Sequence, residues 1–178
     1  MSITLQPIKI VLQPGDCYFG DRNTSISTVL GSCVSITFWH PQLLVGGMCH
    51  YMLPKRGIKD RTDSKPALDG RYADEALALL LKPLDSIGAP HKDYQVKLFG
   101  GGNMFPNLLN TSTNQIGVRN VQAARRLVKQ HGFNTVAEHL GDVGHRNIIF
   151  ELWSGEVWLK HTQVSPLAEH ELSNRSLA

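Results

Sequence analysis

The first third of the chain alternates apolar and polar residues with the period of β-strands. In segment 33–38 the apolar side chains fall on one face and the polar ones on the other, which predicts a half-buried strand. A second apolar stretch, 43–53, follows after a short turn. An extended segment over 6–20 is predicted to turn at Pro14-Gly15. These strands follow one another too closely to be joined by crossover helices.

Two helices are predicted from capping signals and apolar spacing. Asp69 is a plausible cap for the first helix, and Pro83 is predicted to stop or kink it. Asn120 is predicted to cap the second helix, and Gly132 stands where a left-handed residue would end it. Helical and strand segments are therefore interspersed along the chain.

Further strands are predicted in the second half, at 95–99, 134–140, 146–153 and 156–161. Together these elements predict an α+β fold with mixed β-sheets and packed helices, rather than a doubly wound parallel sheet. The length suits one domain, over residues 1–164. The last residues, 165–178, lack apolar periodicity and are predicted to form a flexible tail.

Composition excludes several classes of protein. The formal charge of +3 comes from 18 basic and 15 acidic residues spread along the chain, which is too mild and too mixed for nucleic acid. No apolar run approaches the roughly 20 residues of a membrane-spanning helix, and no signal-peptide pattern is visible. The three cysteines form no paired framework and suit a reducing compartment. We therefore expect a cytoplasmic protein without membrane insertion.

No metal or nucleotide cofactor is expected. The glycine run 100–102 lacks the G-x-G-x-x-G spacing, and no Lys-Ser/Thr pair follows it at a helix start. The cysteines show no C-x-x-C spacing, and strand alternation sends Cys49 and His50 to opposite faces, which disfavours zinc.

The candidate chemistry comes from folding residues 33–53 into a hairpin. With the turn centred on Pro41-Gln42, the pairing that keeps one face apolar sets Cys33 directly opposite His50. Directly opposed residues have Cβ atoms roughly 4.5–5.5 Å apart, within reach of a thiol–imidazole hydrogen bond. A slip of one residue would put the two side chains on opposite faces.

A thiol beside an imidazole can act as a nucleophile. The free thiol, with a pKa of about 8.5, is mostly protonated at neutral pH, and a neighbouring imidazole raises the thiolate fraction. Gly31 and Ser32 suit a tight turn that exposes the sulfur and offers N–H groups to an oxyanion. The hydroxyl of either Ser27 or Thr28 could bind the imidazole and fix its tautomer. The common alternative is that neither residue is catalytic: a cysteine on a strand is most often a small core residue, and a lone histidine is most often a surface or structural residue.

Several ordered motifs at compatible spacing extend this reading. They are Leu30-Gly31-Ser32-Cys33-Val34, His50-Tyr51-Met52-Leu53-Pro54 starting seventeen residues after the cysteine, Arg71-Tyr72-Ala73-Asp74, Gly100-Gly101-Gly102-Asn103-Met104-Phe105 and Ile116-Gly117-Val118-Arg119-Asn120-Val121. Over roughly residues 8–160 the chain thereby resembles the chemoreceptor glutamine deamidase family, CheD.

The resemblance implies a Cys–His hydrolase with the layered sandwich of bacterial toxin deamidases and a threonine as third catalytic residue. The family's threonine stands six residues before the cysteine, where this chain has Ser27, and Thr28 is one step off. Because serine offers an equivalent hydroxyl while a one-residue shift reverses the face, we expect Ser27 to be that third residue. The family also tends to carry a Gly-Gly pair where this chain reads Gly-Asp-Val-Gly at 141–144.

The implied function is hydrolytic deamidation of glutamine side chains to glutamate on methyl-accepting chemotaxis receptors, with ammonia released through a thioester on Cys33. The receptors are then the protein substrate, and a chemotaxis phosphatase is an expected second partner. The alternative from another class is a non-catalytic chemotaxis adaptor that binds the receptors or that phosphatase. A protein methylesterase is a third reading, which methanol release would reveal.

Overall fold

A computed structural model of the chain describes residues 6–57, 67–106 and 112–163. Nine strands and two helices lie within these ranges: β1 (Ile8–Val11), β2 (Cys17–Gly20), β3 (Thr24–Leu30), β4 (Val34–His40), β5 (Val45–Cys49), α1 (Ala73–Ile87), β6 (Gln95–Gly100), α2 (Ser112–Gln130), β7 (Asn134–Leu140), β8 (His145–Glu151) and β9 (Val157–Thr162).

The strands form two sheets that are stacked under the helices. The first sheet has the order β1-β3-β8-β9 and the second the order β2-β5-β4-β6-β7. Each sheet is mixed, because β1 runs parallel to β3 and β6 parallel to β7 while the other neighbours are antiparallel. One apolar core lies between α1, α2 and the five-stranded sheet, and a second lies between the two sheets. The predicted α+β fold with mixed sheets and packed helices is confirmed.

The five-stranded sheet is the middle layer, which corrects the prediction for β4. Val34 and Ile36 are fully buried against the helices, as the alternation predicts. Ser35 and Thr37 on the opposite face are also buried, because the four-stranded sheet covers that face. The strand is therefore buried on both sides rather than half-buried. Its hydroxyl residues are small enough to lie between two sheets.

The predicted strands of the second half are confirmed within one or two residues, but both predicted helix starts are wrong. Helix α1 begins at Ala73, and the carboxylate of Asp69 instead accepts hydrogen bonds from the backbone and guanidinium of Arg71. Pro83 lies inside α1, which continues to Ile87. Asn120 is in the middle of α2 rather than at its cap.

The end of α2 follows the prediction. Gly132 has φ 74, the left-handed conformation that glycine adopts without penalty. Its N–H donates to Lys129 O at 3.1 Å, and the N–H of Phe133 donates to Val128 O at 3.2 Å. These two bonds satisfy carbonyls that the helix would otherwise leave unpaired.

The hairpin of β4 and β5 has a different register from the predicted one. The turn takes the four residues 41–44, with Leu44 in a left-handed conformation at φ 52. Phe38 therefore pairs with Gly47, and the bridge Val34–Tyr51 continues the same register. The longer turn shifts every partner by two residues, so Cys33 does not lie directly opposite His50.

The predicted tail, 165–178, and the end of the predicted domain at residue 164 lie outside the described residues. Within the described ranges, neither helix combines the length and the apolar character needed to cross a membrane.

Candidate active site

Cys33 lies in the short turn Gly31–Cys33 that joins β3 to β4. Its side chain is partly exposed and packs against the apolar cluster between the two sheets. Two N–H groups of the glycine run hold this turn, since Gly102 donates to Gly31 O and Gly101 donates to Cys33 O, both at 2.8 Å. No protein acceptor for the N–H of Cys33 is found among the described backbone groups. The turn is thus anchored through its carbonyls.

His50 directly follows β5 and is almost fully buried, with 3% of its surface exposed. Its backbone is fixed by two hydrogen bonds to the turn before β2: Gly15 donates to His50 O at 2.7 Å, and His50 donates to Asp16 O at 2.9 Å. The imidazole therefore projects from a rigid backbone. Rigid elements of this kind hold a functional side chain better than a loop does.

The imidazole is held by Thr28. Thr28 Oγ1 lies 2.8 Å from His50 Nδ1 and donates its hydroxyl proton to Leu12 O, also at 2.8 Å. A threonine hydroxyl has one proton, so with that proton on Leu12 O it can only accept from Nδ1–H. The hydrogen-bond network therefore assigns the proton to Nδ1 and leaves Nε2 as a free base. Nε2 is buried and has no partner among the described residues.

Ser27 is not the residue that binds the imidazole, contrary to our expectation. Its hydroxyl donates to Ile10 O at 3.4 Å, and alternation on β3 turns it away from the inward face. The inward face carries Ile26, Thr28 and Leu30, all of them buried. This period of two, with a hydroxyl between two aliphatic residues, is the signal in the sequence that identifies Thr28.

Cys33 and His50 are diagonal neighbours across the hairpin. Val34 and Tyr51 form an antiparallel bridge; Cys33 immediately precedes Val34, and His50 immediately precedes Tyr51. Diagonal neighbours lie roughly 7–8 Å apart, with Cβ atoms somewhat closer, a separation that long or aromatic side chains span. Because the register moved by two residues and not by one, both side chains remain on one face of the strand pair.

Burial sets the protonation of both groups at rest. Desolvation raises the pKa of the Cys33 thiol above its ordinary value, and the N–H of its own backbone opposes that shift. Desolvation also lowers the pKa of His50, with the Leu12 carbonyl and the Asp16 carboxylate acting in the opposite direction. The neutral thiol and the neutral imidazole are therefore the resting forms at neutral pH.

The other two cysteines lie in different surroundings from Cys33, although Cys17, like Cys33, is partly exposed. Cys49 is completely buried in the core under the helices, which raises the pKa of its thiol to about 12. Desolvation raises the pKa of Cys17 strongly, and its sulfur faces Ala76 O at 3.8 Å. Within the ranges that the structure describes, no three His, Cys, Asp or Glu side chains are grouped as metal ligands.

We expect iodoacetamide to modify Cys33 much faster than Cys17 or Cys49 in the folded protein, because only Cys33 combines a partly exposed side chain with an imidazole on its own face. Mass spectrometry of tryptic peptides at successive times measures the three rates. The unfolded protein is the control, since all three thiols should then react alike. Equal rates in the native protein would contradict a distinct environment for Cys33.

The loop that departs from the family pattern is accommodated by its own backbone chemistry. Asp142 has φ 62, a left-handed conformation in which aspartate is one of the better tolerated residues after glycine. Its Oδ1 accepts a hydrogen bond from the N–H of Val143 at 2.8 Å. Gly141 donates to Gly100 O at 2.9 Å, so the loop supports the glycine run that holds the Cys33 turn.

Comparisons with known proteins agree on one family. The family model described as CheD chemotactic sensory transduction matches residues 52–161. A "Probable chemoreceptor glutamine deamidase CheD" from Pseudomonas fluorescens (strain SBW25) is 48% identical over 162 residues, covering 90% of this chain and 89% of the relative. A protein of the same name from Pseudomonas syringae pv. tomato (strain ATCC BAA-871 / DC3000) is 50% identical over 159 residues, covering 88% and 91%.

The chain therefore belongs to the CheD family. The matched family model begins at residue 52, after both Cys33 and His50. Among solved structures, the crystal structure of the Bacillus licheniformis hypothetical protein YfiH shows a TM-score of 0.38 and 14% identity, covering 70% of this chain and 50% of that one. That similarity is too weak to support any inference about the fold or the site.

Proposed function

We propose that this protein hydrolyses the side-chain amide of glutamine residues on methyl-accepting chemotaxis receptors, leaving glutamate and releasing ammonia. The substrate class comes from the relatives, which are named as probable chemoreceptor glutamine deamidases. The reaction would take place in the cytoplasm, where thiols stay reduced, and all three cysteines are free in the structure. A chemotaxis phosphatase as a second partner stays a prediction.

The observation that supports this function most is the hydrogen bond between Thr28 Oγ1 and His50 Nδ1, from which the tautomer of His50 follows. A general base needs an unprotonated nitrogen within reach of the proton that it removes. The bond to Thr28 keeps the proton on Nδ1, and Nε2 is buried without another partner. Cys33 is the nucleophile in this scheme, and the register across the Val34–Tyr51 bridge, which puts its side chain on the same face as His50, supports that role.

The reaction would proceed through a thioester. His50 Nε2 takes the proton from Cys33, and the sulfur attacks the amide carbon to form a tetrahedral oxyanion. The N–H groups of the Gly31–Cys33 turn would donate to that oxyanion. The intermediate collapses when the imidazolium gives its proton to the leaving ammonia. Water then attacks the thioester with His50 again as the base, which releases glutamate and restores the thiol.

Thr28 is the orienting residue in this scheme, and its loss should slow the reaction. Thr28→Ala removes the acceptor for Nδ1–H, so the imidazole loses its fixed tautomer and orientation. We expect a fall in kcat of roughly ten- to thirtyfold, the equivalent of one lost hydrogen bond. Ser27→Ala is the matched control on the same strand and should leave kcat unchanged. The opposite result would return the orienting role to Ser27.

Ammonia release from purified receptor tests the proposed activity against its rival. A deamidase produces ammonia in proportion to the glutamates formed, whereas an adaptor that only binds the receptor releases none. A methylesterase would release methanol from methylated receptor and no ammonia. Binding of receptor without either product would support the adaptor and overturn the proposed function.

A further inference from the structure

Asn120 is a completely buried polar residue on α2, and it touches both halves of the proposed site. Its side-chain Nδ2 donates to Ser32 O at 3.1 Å and to Met52 O at 2.7 Å. Ser32 immediately precedes Cys33, and Met52 is the second residue after His50. A primary amide has two N–H donors, so both are used in joining these two segments.

No ladder hydrogen bond joins these segments at that point. The Val34–Tyr51 bridge is the last pairing between them, and beyond it the N–H of Met52 donates to Arg71 O at 2.9 Å. On the other side, the carbonyl of Cys33 is taken by Gly101. Among the described residues, the Cys33 turn and the segment after Tyr51 therefore separate beyond the bridge, and the side-chain amide of Asn120 spans the gap between them.

Helix α2 is seated closely enough to act as a rigid support for this amide. A Cβ on Gly101 would come within 2.3 Å of Val121 Cγ2, and one on Gly117 would come within 2.7 Å of Gly101 O. The two glycines thus allow the helix to touch the run that holds the Cys33 turn. The hydroxyl of Tyr51 donates to the backbone carbonyl of Asn120 at 2.6 Å, a bond that does not involve the side-chain amide.

The unpaired side-chain oxygen of Asn120 indicates that the contribution of this residue is the two hydrogen bonds that its Nδ2 donates. Asn120 Oδ1 is buried and has no hydrogen-bond partner among the described residues. Burying an acceptor without a partner is unfavourable, so an apolar residue would suit a purely space-filling role better. The two donated bonds are what this residue contributes at this position.

We propose that Asn120 is a positioning residue that sets the separation between the Cys33 sulfur and the His50 imidazole by tying Ser32 to Met52. This role rests on the proposed function, because it matters only where sulfur and imidazole react together. The bridge at Val34–Tyr51 fixes the strands and the glycine run holds the Cys33 turn, but neither ties Ser32 to the segment that follows His50. Small misplacements of reacting groups reduce rates strongly.

Replacing Asn120 by alanine tests this role. We expect kcat for ammonia release to fall on the order of ten- to a hundredfold, as for misplaced reacting groups, with KM unchanged. The pH dependence of Cys33 alkylation should also shift, because a released turn admits water and brings the pKa of the thiol down towards its ordinary value. Asn120→Ser, which keeps one donor, should recover part of kcat.

Tyr51→Phe is the matched control, since it removes a buried hydrogen bond to the backbone of the same residue and keeps both Nδ2 donors. It should lower the melting temperature and leave kcat and the alkylation profile at wild-type values. If Asn120→Ala behaves like Tyr51→Phe in both measurements, Asn120 is merely structural and the proposal is overturned. If Asn120→Ala does not fold, the same comparison with Asn120→Ser decides.

The two readouts separate this role from the proposed function. If the wild-type protein releases no ammonia from receptor, the deamidase assignment fails. The alkylation profile still reports whether Asn120 controls the environment of Cys33. A shifted profile in Asn120→Ala with a wild-type profile in Tyr51→Phe supports the positioning role, and identical profiles contradict it.

Discussion

Replacing Cys33 by alanine is expected to abolish ammonia release from receptor, with a loss of at least roughly 1,000-fold in kcat. The thioester cannot form without the sulfur, and no other cysteine can substitute. Cys49 is buried under the helices, and Cys17 faces α1. Because Cys33 is partly exposed, its truncation leaves little empty volume, and the variant should remain folded.

Cys17→Ala is the matched control for the loss of a partly buried thiol outside the site. It should keep the wild-type kcat, and both variants should melt cooperatively in a thermal scan. Receptor binding should survive in Cys33→Ala, because the substitution removes only one small side chain. Substantial ammonia release by a folded Cys33→Ala protein would exclude Cys33 as the nucleophile.

The second large effect is expected at His50. His50→Gln can still donate a hydrogen bond to Thr28, but its amide cannot take a proton from the thiol. We expect kcat/KM to fall on the order of 100- to 10,000-fold, the usual contribution of a positioned general base. His40→Gln is the control, because His40 is another buried histidine and its Nδ1 accepts a hydrogen bond from Leu43 N at 3.3 Å. It lies at the opposite end of β4 from the Cys33 turn.

The pH dependence of activity also tests His50 as the general base, because the direction of the change is predicted. His50 must be neutral to act as a base, so activity should be lost as the pH falls through the pKa of His50. Burial lowers that pKa, so the acid limb of kcat/KM should lie below the ordinary histidine value of about 6.5. The limb should disappear in His50→Gln. An acid limb clearly above that value would show that His50 is not held in the buried neutral form.

The α+β fold with mixed sheets follows from the patterning and spacing of the strands, and the shared face of Cys33 and His50 follows from alternation, but the register does not. Alternation fixes which face a side chain occupies and leaves the turn length open. The turn at 41–44 is two residues longer than the predicted two-residue loop. Leu44 adopts a left-handed conformation, which a leucine in the sequence does not predict. An even shift preserved the shared face and replaced direct opposition with a diagonal relation.

The choice between Ser27 and Thr28 shows how a local pattern can outweigh a count from a motif. Counting back from Cys33 crosses a turn, where the relation between residue number and face is lost. Alternation within β3, from Ile26 to Leu30, stays inside one strand and identifies Thr28 as the inward residue. The residues on either side of a hydroxyl within its own strand therefore predict better which hydroxyl reaches His50.

The place of Asn120 could not be predicted from local sequence at all. An asparagine before an apolar helical stripe favours a cap, because its side chain competes well for backbone donors. The helix instead starts eight residues earlier, at Ser112, and carries Asn120 into the interior against Ser32 and Met52. Contacts between residues so distant in sequence arise from packing and leave no periodic signal.

Mass spectrometry of a chemoreceptor co-expressed with this protein tests the central claim most directly. With the wild-type protein, specific receptor peptides should show the mass increase that accompanies replacement of a glutamine amide by a carboxylate. The same peptides should keep their glutamines when Cys33→Ala is co-expressed at equal level. Receptor peptides that remain glutamine with the wild-type protein, or that are converted equally with Cys33→Ala, would contradict a Cys33-dependent glutamine deamidase.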